Sequence, residues 1–171
     1  METTMINYLK AQGVSIKDCG HISALILLPW TFKLFWAPLM DTMTIRSMGR
    51  RRSWIIGAQV MMALTLIGIL MVPDVTSDFR LLGIMFFIHN IFASLQDVST
   101  DALAVDILPA EEQGQANGLM WASKLVGLRA GGLFFAQVIE HHSIEAAVFL
   151  QMGILIRIMV LPVLWLDRPG E

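Results

Sequence analysis

The stretch Leu81–Ile107 reads LLGIMFFIHNIFASLQDVSTDALAVDI. A helix needs about 20 residues to cross a hydrocarbon core of about 30 Å, so this run is long enough to span a membrane. Yet it contains Asp97, Asp101 and Asp106. On a wheel of about 100° per residue, Asn90, Ser94, Asp101 and Ala104 all fall within about 60° of Asp97. One polar stripe therefore runs along an otherwise apolar helix, and that stripe cannot face lipid. Asp106 falls on the opposite side, near the end of the run, as an anchor for the following loop. His89 lies off the stripe, where packing and titration are both open to it.

Outward from this run the chain repeats the pattern. Four further apolar stretches, at 21–40, 53–72, 116–139 and 144–166, are each long enough to span. Of the 171 residues, 56% are hydrophobic and 15% charged, with a mean hydropathy of +0.65. Soluble domains carry about 25% charged residues, so a soluble enzyme is excluded. The expected fold is all-α: a polytopic bundle of five transmembrane helices. An external N-terminal segment, 1–20, precedes the bundle at 21–166, and a short tail, 167–171, follows it. Segment 1–20 has no apolar core of the kind a signal peptide needs. A net charge of −2 argues against nucleic-acid binding, and the single cysteine, Cys19, excludes an internal disulfide or a cysteine-based metal site. No cofactor or metal is expected; His141 and His142 lack a third ligand. The twelve methionines sit mostly in the spans, as flexible packing.

The loops are short, so neighbouring helices alternate in direction. Arginine and lysine set the orientation. Arg46, Arg50, Arg51, Arg52 and Arg168 lie on one side, against Lys10, Lys17 and Arg80 on the other. Loops 41–52 and 108–115 and the C-terminus are therefore expected in the cytoplasm. Pro29, beside Trp30, should kink the first span. Gly127 and Gly131 form a G-x-x-x-G expected to admit a close helix neighbour.

Basic residues on other spans can meet the acidic stripe: Lys33, Lys124, Arg129 and Arg157. At about 1.5 Å per residue, these and the two aspartates lie about 9 to 20 Å from the cytoplasmic ends. Four spans thus bring charge to one slab. A charge at that depth costs about 2.5–3.5 kcal/mol unless it is paired or wetted. Two carboxylates one turn apart tend to hold a proton or a cation. Asn90, Asp97, Asp101, Lys33, Lys124, Arg129 and Arg157 are accordingly the candidate solute and proton pathway. The structural alternatives are that Lys33 and Arg157 snorkel and that Asp97 and Lys124 form a plain ion pair.

The motifs PWTFKLFWAPLMD (29–41) and GRRRSW (49–54), followed by LQDVSTDALAVDILPAEEQGQANG (95–118), resemble the major facilitator superfamily. Within it they are similar to the AmpG-type muropeptide permeases and the related acetyl-coenzyme A transporters. The general loop pattern is G-x-x-x-D-[RK]-x-G-R-[RK]. Here Ala37 replaces the first glycine, and the gap from Asp41 to Gly49 is longer. The resemblance covers residues 7–166. It implies that the five spans are helices two to six of a twelve-helix fold, that INYLKAQG (6–13) is the outer end of helix one, and that the C-terminal half is missing.

It further implies alternating access about a midplane site and transport of a small anionic solute across a bacterial inner membrane, with the proton as coupling ion. Asp41, Gly49, Arg50, Arg51, Arg52 and Asp106 would form the cytoplasmic gate. Two alternatives stand beside this: a non-transporting fragment or accessory membrane subunit, and a membrane phosphotransferase. The D-x-x-D-G-x-x-A-R motif that the last would need before Asp97 is absent.

Overall fold

The computed structural model describes residues 2–43 and 51–164. Among these there are seven helices and no strand: α1 (Glu2–Ala11), α2 (Ile16–Thr31), α3 (Lys33–Thr42), α4 (Arg52–Leu70), α5 (Phe79–Ile107), α6 (Ala110–His141) and α7 (Ile144–Leu164). Helix occupies most of the first twenty residues too, so α2 begins five residues before the apolar stretch that predicts it. Gly13 makes the α1–α2 turn possible. Its φ of 89° is open to glycine, and the Gly13 and Val14 amides donate to Lys10 and Leu9 carbonyls at 3.1 and 3.0 Å. That paired closure is a Schellman cap. Ser15 then caps α2 by accepting from the Asp18 amide at 3.1 Å.

The kink expected at Pro29 is present, but the helix breaks three residues later. Phe32 adopts φ −87° and ψ 5° and donates its amide to the Pro29 carbonyl at 3.2 Å. Pro29 has no amide proton to give Leu25, so the ladder is already open before Phe32. The two halves, α2 and α3, meet at 42°. The break leaves Lys33 as the first residue of α3.

Helices α4, α5 and α7 are long and apolar enough to cross a membrane, and the bent α2–α3 pair makes a fourth span if taken as one. The fifth expected span does not meet that measure. At 32 residues α6 has the length, about 48 Å. Lys124, Arg129 and its many polar and small residues make it less apolar than its neighbours.

Helix α5 is the hub, packed on α4, α2, α3 and α6, while α7 covers α4. The main core joins Met5 and Leu9 of α1, Ile22 and Ile26 of α2, Leu66 of α4, Phe86 of α5 and Val148 of α7. A smaller core of Met40, Ala58 and Leu95 lies toward the other end, under Trp36 and Trp54. By contrast α6 buries Phe135 alone. A Cβ added at Gly127 or Gly131 would meet nothing within 4 Å. The close neighbour expected at the G-x-x-x-G is therefore not found among the described residues; that glycine face is open.

Candidate functional site

The polar stripe of α5 faces α2, α3 and α6, as the wheel requires. Three rungs tie it to the broken helix. Trp30 Nε1 donates to Asn90 Oδ1 at 3.1 Å, before the break. Lys33 pairs with Asp97 just after it. Trp36 Nε1 donates to Ser94 Oγ at 3.0 Å. The Lys33 ammonium also lies 4.6 Å from the centre of the Trp30 ring, a cation–π contact that steadies both.

From the other side α6 brings Lys124. Its Nζ lies 2.6 Å from Asp97 Oδ1 and 3.2 Å from Asp101 Oδ1. Asp97 thus holds two cations, one on each oxygen, and its side chain is only 14% exposed against 43% for Asp101. Each ion here is charge-assisted and hydrogen-bonded, the condition for a charge to persist in a low-dielectric bundle. The four groups balance: two lysines against two aspartates.

Asn90 does not join them. It is 2% exposed, and its amide donates to Glu2 Oε1 at 2.6 Å and to the Phe86 carbonyl at 2.9 Å. With Trp30 on its oxygen and both amide protons donated, it acts as a bracket between α1, α2 and α5. Arg129 and Arg157 are exposed and form no ion pair with any described residue. The convergence of four cations expected from depth is therefore two, Lys33 and Lys124. Depth along a helix says nothing about the side on which a residue sits. Arg129 lies about 140° around α6 from Lys124, in a cleft against α1. His89 is buried, with Nδ1 2.8 Å from Thr65 Oγ1.

A second cluster closes the opposite end of α5 and α3. Arg51 Nη1 donates to Asp41 Oδ1 and its Nε to Asp106 Oδ2, both at 2.9 Å. Burial works against the Arg51 charge, but the hydrogen bonds and charges of Asp106 and Asp41 outweigh it, so the guanidinium holds its proton more firmly than a free arginine. Asp106 sits opposite the Asp97 stripe, as the wheel places it, and it reaches the start of α4. Arg52 turns away to cap the last turn of α7 through the Val163 carbonyl. Gly49 and Arg50, the remaining gate candidates, lie outside the described residues.

The sequence had signalled neither tryptophan as part of the site. Trp30 and Trp36 are six residues apart, and each indole N–H needs an acceptor when buried. Two indoles at that spacing beside a polar stripe are the available signal. Among the described residues no three His, Cys, Asp or Glu side chains are grouped to hold a metal.

Apolar helices long enough to cross a membrane, packed around an ion-paired polar interior, define a polytopic membrane protein. Residues 3–171 match the model of the Major Facilitator Superfamily, and the chain belongs to that family. The family is one of transporters rather than enzymes, which sets the phosphotransferase alternative aside. The anhydromuropeptide permease of Escherichia coli strain K12 is 28% identical over 131 residues, covering 75% of this chain and 26% of that protein. The protein named AmpG 1 of Rickettsia prowazekii is 32% identical over 133 residues, 75% of this chain and 29% of its own length. AmpG 4 of Rickettsia conorii is 30% identical over 145 residues, 80% and 34%. The chain thus spans about a quarter to a third of the length of these curated relatives. No solved structure matches it.

Proposed function

We propose that this chain is the N-terminal part of a proton-coupled transporter for an anionic solute of the anhydromuropeptide type, resident in a bacterial inner membrane. In this proposal α6 is a fifth span, wetted on one face, and α1 is the outer end of helix one. The observation that carries it is Asp97 held by Lys33 and Lys124 from two different helices.

With all four groups ionised the cluster is neutral. A proton taken by Asp97 leaves it with one net positive charge and Lys33 without its carboxylate partner, while Lys124 keeps Asp101. An anionic group then has a reason to enter, because an unpaired cation at this depth costs about 2.5–3.5 kcal/mol. Proton and anion therefore load together. When the proton leaves on the other side, the carboxylate reclaims its lysine and the anion is displaced. The same carboxylate thus serves as proton carrier and as competitor for the solute site. That exchange is the coupling step that alternating access about a midplane site requires.

Arg51, with Asp41 and Asp106, latches the face that arginine counts assign to the cytoplasm, and Gly49, Arg50 and Arg52 belong to the same loop. Breaking the latch would let α3 and α5 part. The name of the Escherichia coli relative supports muropeptides as the solute, and their carboxylates suit the lysines.

The test is uptake of labelled anhydromuropeptide into right-side-out and inverted vesicles, with acetyl-coenzyme A as competitor. The vesicles would carry a chimera whose remaining helices come from the Escherichia coli permease. Uptake should follow an inward proton gradient. Uptake that ignores the gradient in the chimera, or that follows it unchanged once Asp97→Asn is introduced, would refute proton coupling through this cluster.

A further inference from the structure

Helix α3 is held to the bundle along one face. On a wheel of about 100° per residue, Trp36 and Met40 fall within about 60° of Lys33. All three meet α5: Lys33 pairs with Asp97, the Trp36 indole donates to Ser94, and the Ser99 hydroxyl donates to the Met40 sulfur at 2.8 Å. Leu34, Phe35 and Leu39, around the other side, are exposed. Met40 is the one buried residue of the helix, so α3 has no core of its own.

The two ends of this arm differ. At its start the helical ladder is open at Phe32, and the chain bends by 42°. From there α3 runs unbroken through Pro38 to Thr42. At its far end Asp41 accepts from Arg51, and the Met43 carbonyl accepts from the Trp54 indole at 2.9 Å. The Asp41 side chain is 52% exposed, and an ion pair that open to water is weak on its own. It closes because α3 is already held against α5, and the strongest hold is Lys33 on the enclosed Asp97.

We propose that α3 is a lever. The Lys33–Asp97 pair keeps it on α5, and loss of the Asp97 charge opens the Asp41–Arg51 contact eight residues away, about 12 Å along the helix. The charged groups facing Asp97 are Lys33 from α3, Lys124 from α6 and Asp101 on α5 itself. Lys124 keeps Asp101 when Asp97 is neutral, whereas Lys33 loses its carboxylate. The change is therefore directed into α3 and not into α6. What the lever is for rests on the transport reading above: the carboxylate that takes the proton also loosens the cytoplasmic latch. The lever itself is a property of the folded chain and is tested without uptake.

The test uses the full chain in liposomes, with Met40→Cys in a Cys19→Ala background, and follows the initial rate of reaction with N-ethylmaleimide. Met40 is fully buried, so a thiol there reacts when the far end of α3 leaves α5. Asp97→Asn should raise that rate about 5- to 150-fold, the usual range of coupling between two sites, and Lys33→Gln should do the same. Combining the two should add little to either, because both remove one tie. Native Cys19, buried in the main core, reports general loosening. In chains that keep Met40, its rate should not change with either variant. Equal acceleration at Cys19 and at Met40→Cys would overturn the lever, since the whole bundle would have loosened. An unchanged Met40→Cys rate in both variants would also overturn it. Acceleration confined to Met40→Cys, beside uptake that ignores the proton gradient, would uphold the lever and remove the transport reading.

Discussion

Lys124 reaches Asp97 across the α5–α6 interface at 2.6 Å and leaves Asp101 at a longer 3.2 Å. The lysine is therefore shared unequally by two carboxylates one turn apart, and Asp97 is the more enclosed of the pair. Asp97→Asn should abolish accumulation against a gradient while exchange of bound solute continues. Lys124→Gln should raise the apparent KM about 10- to 150-fold, the loss of one charge-assisted contact of about 1.5–3 kcal/mol. Initial rates at several external pH values check both. An unchanged pH profile in the two variants would make the cluster a structural ion pair.

The two tryptophan rungs differ in what their loss exposes. Trp36→Phe removes one bond to Ser94, whose hydroxyl keeps the Ile91 carbonyl at 2.9 Å. The expected cost is about 1 kcal/mol, or about 2–4 °C in thermal midpoint. Trp30→Phe strips the buried Asn90 oxygen of its donor, which costs about 1–3 kcal/mol. Thermal unfolding in detergent should rank Trp30→Phe as the more damaging; the reverse order would show that the rungs are incidental.

The Arg51 latch predicts a kinetic phenotype. Asp41→Asn should change the uptake rate severalfold with little change in membrane expression, because Asp106 still holds Arg51 at 2.9 Å. Asp41→Asn with Asp106→Asn should do more than either alone. Wild-type rates in the double variant would leave the arginines a topological role only.

Topology can be checked with impermeant thiol reagents in a Cys19→Ala background. Ser77→Cys precedes α5 and Glu111→Cys follows it, so the two should label from opposite sides of the membrane. Labelling from one side would remove α5 as a span.

The turn at 74–77 carries a pH signature. Asp74 accepts from the Thr76 hydroxyl at 2.6 Å, the Ser77 hydroxyl at 2.7 Å and the Thr76 amide at 2.9 Å. These bonds hold its carboxyl well below the usual aspartate value. A depressed native value means the stabilisation is complete above the unfolded value of about 3.9 and fades as pH falls below it. Hydrogen exchange at the Thr76 amide should therefore lose protection below about pH 4, and Asp74→Asn should remove that dependence. Protection that rises on acidification would contradict the turn as described.

Two periodicities determined much of this protein before any coordinates. Apolar runs of about 20 residues demand helices across a membrane because backbone groups in lipid must bond internally. A period of 3.6 places Asn90, Ser94, Asp97 and Asp101 on one side of α5 and Asp106 on the other. Both statements concern a single helix; the structure agrees with the second, and with the first for α4, α5, α7 and the bent α2–α3 pair, while α6 falls short of it. Pro29 likewise announced a break, because a missing amide proton is a local property.

Partnership was another matter. Lys33, Lys124, Arg129 and Arg157 stand at similar depths, yet only the first two meet the aspartates. Which azimuth of α6 turns toward α5, and which toward α1, depends on how helices pack. The break at Phe32 decides where Lys33 emerges, and indole acceptors become visible only when Trp30 and Trp36 lie against α5. Sequence spacing determined the faces of each helix; the tertiary structure alone decided which faces meet, because pairing is set by packing between helices far apart in the chain.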